Sequence, residues 1–174
     1  MSGRDLYWAS YKTDLSQVQA LVRAGADVNY RDGVKGVTPL MAAVFKNHPL
    51  VAEYLLSIPE LNCSIRDSDG WTALHCACVW GGGGGLVSAI AARMDSEGLN
   101  TRDRDNDTAV MCAVRNANTE AVRALGTRQD LEYPYQVLVT EARYVWQGMG
   151  YAFFVISGIH FRTFQFYQFN LFPK

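Results

Sequence analysis

The amino-acid sequence predicts an all-α solenoid: stacked helix-turn-helix units joined by β-hairpin loops, then an atypical aromatic-rich tail. Three observations carry that prediction. Gly36-Val37-Thr38-Pro39-Leu40-Met41, Gly70-Trp71-Thr72-Ala73-Leu74-His75 and Asn106-Asp107-Thr108-Ala109-Val110-Met111 are versions of one motif, with threonines at 38, 72 and 108, 34 and 36 residues apart. Each threonine opens a run with apolar residues at helical spacing. Composition then changes abruptly beyond residue 132. Self-similarity at a period of 20 to 50 residues marks a stacked repeat, whose units bury together what none can bury alone.

The chain has 174 residues, 49% of them apolar, enough for a core, and 19% charged. A net charge of −1 argues against nucleic acid as partner. The start, Met1-Ser2-Gly3-Arg4-Asp5, runs into a polar helix without an apolar signal segment, so a cytoplasmic setting is expected. In that setting Cys63, Cys76, Cys78 and Cys112 read as reduced thiols.

The first unit, residues 5–32, places Leu6, Ala9 and Ser10 on one apolar stripe and Leu15, Val18, Leu21 and Val22 on the next. Gly25 follows where a helix must stop, since glycine adopts positive φ without penalty. In the second unit, 33–67, Thr38 is the expected N-cap and Pro39 the first helical residue, because proline has no N–H to leave unpaired. Helices are expected over about 39–46 and 50–57, ended by Ile58-Pro59. Asn47 between them suits a left-handed backbone.

The third unit, 68–103, keeps Thr72, Leu74, His75 and Ala77 but carries glycine at every position from 81 to 85. Glycine costs roughly 1 kcal/mol against alanine in a helix, so its second helix is expected to start only near Leu86, and the unit to be locally weak. The fourth unit, 104–132, has Thr108, Val110, Met111, Ala113, Val122 and Leu125, with Ala117 in the inter-helix turn.

The motif resembles the ankyrin repeat, of about 33 residues with the signature T-P-L-H-x-A. Gly25-Ala26-Asp27-Val28-Asn29 is similar to the G-A-D-V-N that closes many such repeats, and Asp130-Leu131-Glu132 to a worn copy. The resemblance covers about residues 5–132, giving a repeat domain of 1–132 and a tail of 133–174. It implies a non-catalytic scaffold that binds another protein, through hairpin tips and the exposed side of each first helix. Carried over, those positions are Tyr11 and Lys12; Val34, Lys35, Val37, Phe45 and Lys46; Ser68, Asp69, Trp71, Val79 and Trp80; and Arg104, Asp105, Asp107, Arg115 and Asn116. Tyr11, Phe45, Trp71 and Trp80 form its aromatic centre, the residue class that dominates binding hot spots. Against that stands a second reading, in which Trp71 and Trp80 pack on each other or on adjacent loops and Phe45 and Val79 merely shield helix ends.

No cofactor, metal or catalytic residue is expected. Cys76 and Cys78 lie two apart on a helix, about 200° around its axis, and cannot clamp one ion. The resemblance makes His75 a hydrogen-bonding staple between its helix start and the neighbouring loop. The glycine run lacks the G-K-[ST] of a phosphate loop, and no G-x-S-x-G elbow occurs.

The 42 residues 133–174 hold 13 of the chain's 21 aromatics. Residues 144–161 have only Gln147 and His160 clearly polar, the lower limit of a membrane-span candidate. The alternative function is therefore the repeat portion of a membrane-associated or channel-like protein. Alternation in 161–172 reads as strand. Beyond the span, the tail reads as a cover for the last unit or, preferred, as no evolved segment at all, the mis-spliced end of a gene prediction.

Overall fold

The computed structural model describes residues 2–81, 83–128 and 130–131. The readings of the tail as strand, membrane span or cover, and the boundary at residue 132, fall outside them. Within them the chain is an ankyrin-type solenoid. The helices are α1 (Gly3–Tyr11), α2 (Leu15–Arg23), α3 (Pro39–Phe45), α4 (Pro49–Leu56), α5 (Ala73–Trp80), α6 (Gly83–Ala91), α7 (Ser96–Leu99), α8 (Ala109–Arg115) and α9 (Thr119–Leu125). First helices α1, α3, α5 and α8 lie side by side in one row, and α2, α4, α6 and α9 form the second.

Helix starts follow local chemistry. The Thr38 hydroxyl accepts from the Met41 amide at 3.3 Å with Pro39 next in line. Asp14 accepts from Gln17 at 2.9 Å and Asn118 from Ala121 at 3.0 Å, so α2 and α9 are capped as well. Helix α4 ends beneath the Arg93 side chain of the next unit, which donates to the carbonyls of Leu56, Ile58, Pro59 and Leu61 at 2.9–3.2 Å. A cation at a helix C-terminus satisfies its free carbonyls and complements the dipole.

The turn between the helices of a unit is left-handed each time: Thr13 (φ 68°), Asn47 (φ 55°), Gly81 (φ 76°) and Ala117 (φ 53°). Only Gly81 adopts this without steric cost, and an ordinary L-residue there costs roughly 1–2 kcal/mol. Ala117 is exposed and adds no packing. Ala117→Gly is therefore expected to raise stability by about 1 kcal/mol, read from the urea midpoint at unchanged m-value.

Helix α6 corrects one expectation. It starts at Gly83, not near Leu86. The reason is tertiary: a Cβ on Gly84 would stand 3.3 Å from the Glu120 carbonyl oxygen and 3.6 Å from the Ala124 Cβ. Glycine there lets α9 approach α6 closely, and packing outweighs propensity. The short α7, capped by Asp95 onto Gly98, is an addition that no motif announces.

The hairpin connections repeat too. Asp32, Asp67 and Asp103 each pair their amide with the carbonyl of Val37, Trp71 and Asp107, at 3.0, 2.8 and 2.9 Å. Their carboxylates close the turn, accepting from the amides of those same residues at 2.6, 2.8 and 2.9 Å. Adjacent hairpins are stitched by Ser68 N–H to Lys35 O (2.7 Å) and Arg104 N–H to Asp69 O (3.0 Å). Among the described residues they form no strand, only one isolated bridge between Arg102 and Thr108. Arg31 and Arg66 extend the stitching, donating to the carbonyls of Arg66 (3.0 Å) and Arg102 (2.7 Å) in the next unit. One continuous core, from Leu6 through Leu40, Leu55, Leu74 and Ile90 to Val110 and Leu125, runs through all four pairs.

Candidate functional site

First helices and hairpins enclose a concavity of about 360 Å³. Tyr7 and Tyr11 line it from α1; Met41, Ala42 and Phe45 from α3; Cys76 and Trp80 from α5; and Lys35, Val37, Asp67, Asp69 and Trp71 from the hairpins. Met41, Ala42 and Cys76 are buried and make an apolar floor.

The rings above it are in mutual contact. Phe45 meets Trp80 edge-on at 4.7 Å between centroids, and Trp80 meets Trp71 at 4.8 Å, tilted by 44°. Trp71 continues to His75 at 6.4 Å. Aromatic pairs prefer such offset and edge-to-face arrangements. So the two tryptophans do pack on each other, and they also front the concavity. Phe45 and Trp80 remain 45% and 44% exposed, an unusual state for large rings that have an apolar neighbour. Trp71 is half-buried and packs against the core. Trp71→Ala is thus expected to cost about 2–3 kcal/mol and Trp80→Ala about 1 kcal/mol, measured by chemical denaturation.

Tyr7 and Trp8 escaped the sequence reading. Tyr7 stacks on Tyr11 at 6.3 Å, and Trp8, 45% exposed, meets both tyrosines edge-on. Their signal was the aromatic face of α1 opposite its buried stripe. Burial, with Asp32 nearby, pushes the Tyr7 phenol above its ordinary range. Lys46 holds its ammonium 4.3 Å from the Tyr11 ring centre and 5.4 Å from that of Phe45, within cation–π range.

The remaining expected positions divide. Lys12 and Asp105 are exposed and Val79 is half-buried. Asp69 sits between Lys35 (3.7 Å) and Arg104 (3.2 Å), an exposed ion ladder across three hairpins. Such exposed pairs contribute little stability each. Asp107 is buried and its carboxylate pairs with Arg115, which commits both to the fourth unit. Burial raises the Asp107 pKa despite the opposing pull of that guanidinium. Val34 is 88% exposed at a hairpin tip.

Beneath the rings, His75 joins two units. Its Nδ1 lies 3.2 Å from the Thr72 amide and 2.9 Å from the Thr72 hydroxyl, and its Nε2 lies 3.3 Å from the Asp107 carbonyl oxygen. Met41 and Met111 take the same amide contact through sulfur, at 3.5 and 3.3 Å, but cannot reach onward. Burial drives the His75 pKa below its ordinary value. A depressed histidine stays neutral in the fold while the unfolded chain takes up its proton, so stability is full above about pH 6.5 and falls as pH drops from there towards the folded pKa. His75→Met is expected to flatten that slope, seen by comparing urea midpoints at pH 7.5 and 5.5.

His75, Asp103 and Cys112 approach within 4.8 Å of one another, all buried. Each has structural work: His75 staples, Asp103 closes its hairpin as Asp32 and Asp67 do, and Cys112 lies 3.8 Å from Asp103. Burial beside Asp103 and Asp107 pushes the Cys112 thiol up to about 12, and burial raises Cys76 and Cys78 as well. These are protonated thiols behaving as small apolar groups, not nucleophiles.

Helix pairs in two rows, stapled hairpins and a ring-lined concave face make up an ankyrin-type repeat fold. Residues 6–87 match the family described as ankyrin repeats, in three copies. The chain is 31% identical to Rabankyrin-5 of Mus musculus, and 30% to that of Homo sapiens, over 105 residues. That stretch is 60% of this chain and 9% of either relative. It is 34% identical over 70 residues, 40% of the chain and 9% of the relative, to the palmitoyltransferase AKR1 of Lachancea kluyveri. The chain therefore corresponds to a small part of the proteins it resembles.

Proposed function

We propose that this chain is a non-catalytic interaction scaffold that binds a partner protein on its concave face in the cytoplasm. The observation that supports this best is the ring ledge: Phe45 and Trp80 stay nearly half exposed beside an apolar floor that would otherwise cover them. Contiguous exposed apolar surface of this kind, rimmed by charge, marks interaction sites. Beneath it, His75 and Asp67 are committed to a staple and a turn. The AKR1 likeness spans too little of that enzyme to bring its activity here. The membrane alternative rests on residues 144–161; among the described residues no helix is long and apolar enough to cross a membrane.

The test is affinity capture from cytosolic extract with the full chain, comparing wild type, Phe45→Ala/Trp80→Ala, and Glu53→Ala on the second-helix row. The reading expects the ring variant to lose the wild-type partner while remaining folded by circular dichroism, and Glu53→Ala to retain it. Equal capture by all three would place binding elsewhere.

A further inference from the structure

The charges at the concavity nearly cancel and select no sign of occupant. Lys35 in the lining stands against Asp67 and Asp69, and Lys46 and Arg104 beside it are offset by Asp32 and Asp105. Hydrogen bonding is not balanced in the same way. Four ring groups in the lining can donate: the hydroxyls of Tyr7 and Tyr11 and the indole N–H groups of Trp71 and Trp80. Among the described residues none of the four donates to a protein atom. The groups of Tyr7, Tyr11 and Trp71 are not buried orphans either, and Trp80 is 44% exposed, so the donors stand open to an occupant. Acceptors are largely used up. Asp69 answers Lys35 and Arg104 at 3.7 and 3.2 Å, and one Asp67 oxygen takes the amides of Asp69 and Trp71 at 2.9 and 2.8 Å. The concavity is therefore apolar, rich in donors and poor in acceptors.

Resting on the concave-face reading above, we infer that the groove takes a proline-rich segment of its partner, extended as a polyproline II helix whose carbonyls accept from the four ring groups. Such a segment carries a carbonyl at every residue but no N–H at its prolines. Its backbone makes no internal hydrogen bonds, so those carbonyls are free to accept. An ordinary extended peptide brings an N–H with each carbonyl, and most of these would be left unpaired over rings and an apolar floor. Pyrrolidine rings pack on the ledge and on the floor of Met41, Ala42 and Cys76, and a chain already held in its bound shape loses little freedom there. Aromatic-lined grooves are a recurring receptor for this conformation.

Fluorescence anisotropy on the full chain tests this with two labelled nonapeptides, one repeating Pro-Pro-Leu and the other Ala-Ala-Leu. The proline peptide should bind at least about tenfold more tightly than the alanine peptide. Tyr7→Phe/Tyr11→Phe keeps both rings and removes both hydroxyls; folded by circular dichroism, it should weaken the proline peptide by about tenfold. Trp80→Ala should abolish binding of either peptide. Equal binding of the two peptides, lost in Trp80→Ala, would overturn the proline preference and leave the concave face standing. A preference untouched by the tyrosine variant would remove the ring donors as its source and sink the inference. Failure of both peptides to bind would overturn the proline-rich occupant, with the capture experiment above still reading the face itself. Binding indifferent to Trp80→Ala would overturn both.

Discussion

Replacing Gly70 by alanine is expected to destabilise the protein by about 3 kcal/mol. Two independent causes add. Gly70 has φ +83°, which an L-residue adopts only at a cost of roughly 1–2 kcal/mol. The new Cβ would also stand 3.0 Å from the Asp103 Cα and 3.2 Å from the Arg104 amide nitrogen. Those are backbone atoms of the next hairpin, and they cannot swing aside as a side chain can. The hairpin-to-hairpin bond from Arg104 to Asp69 would open with them. Urea denaturation of Gly70→Ala against Gly33→Ala gives the measurement, because nothing lies within 4 Å of a Cβ at Gly33. Equal midpoints would mean that the hairpins are not packed as described.

Leu74→Ala is expected to cost about 3–4 kcal/mol, within the range for fully buried leucines. Leu74 is 0% exposed at the second position of α5, which lies between α3 and α8 in the first row. A solenoid unit draws stability from its interfaces with both neighbours, so a void here weakens two contacts at once. The expected signature is a lowered denaturation midpoint with a broadened transition, as outer units uncouple from the centre. Val114→Ala, at a half-buried position in α8, should cost less than half as much.

The parts legible in the sequence were those written in local chemistry. The Thr38 cap, Pro39 at a helix start and the left-handed Asn47 each follow from residues within a few positions of one another. His75 as a staple was legible through its resemblance to the repeat motif, and its two-sided contact bears that out. What escaped depended on neighbours distant in the chain. The early start of α6 needed knowledge that α9 would press on Gly84. Arg31 and Arg66 look like ordinary surface charges until stacking sets each against the next unit's carbonyl. The Tyr7 and Trp8 wall was hidden because α1 carries no T-P-L-H motif to fix its register. At the site, the resemblance to the repeat family supplied Tyr11, Lys35, Val37, Phe45, Asp69, Trp71 and Trp80, and those seven line one concavity. It could not foresee that Asp107 and Arg115 are committed to each other.

Amide hydrogen exchange of the full chain, wild type beside Leu74→Ala, probes the shared core most directly. If the units hide one continuous apolar interior, protection should fall together in α3, α5 and α8, although only α5 carries the substitution. A loss confined to α5, with α3 and α8 unchanged, would show units that fold separately and would contradict the stacked architecture on which the concave face depends.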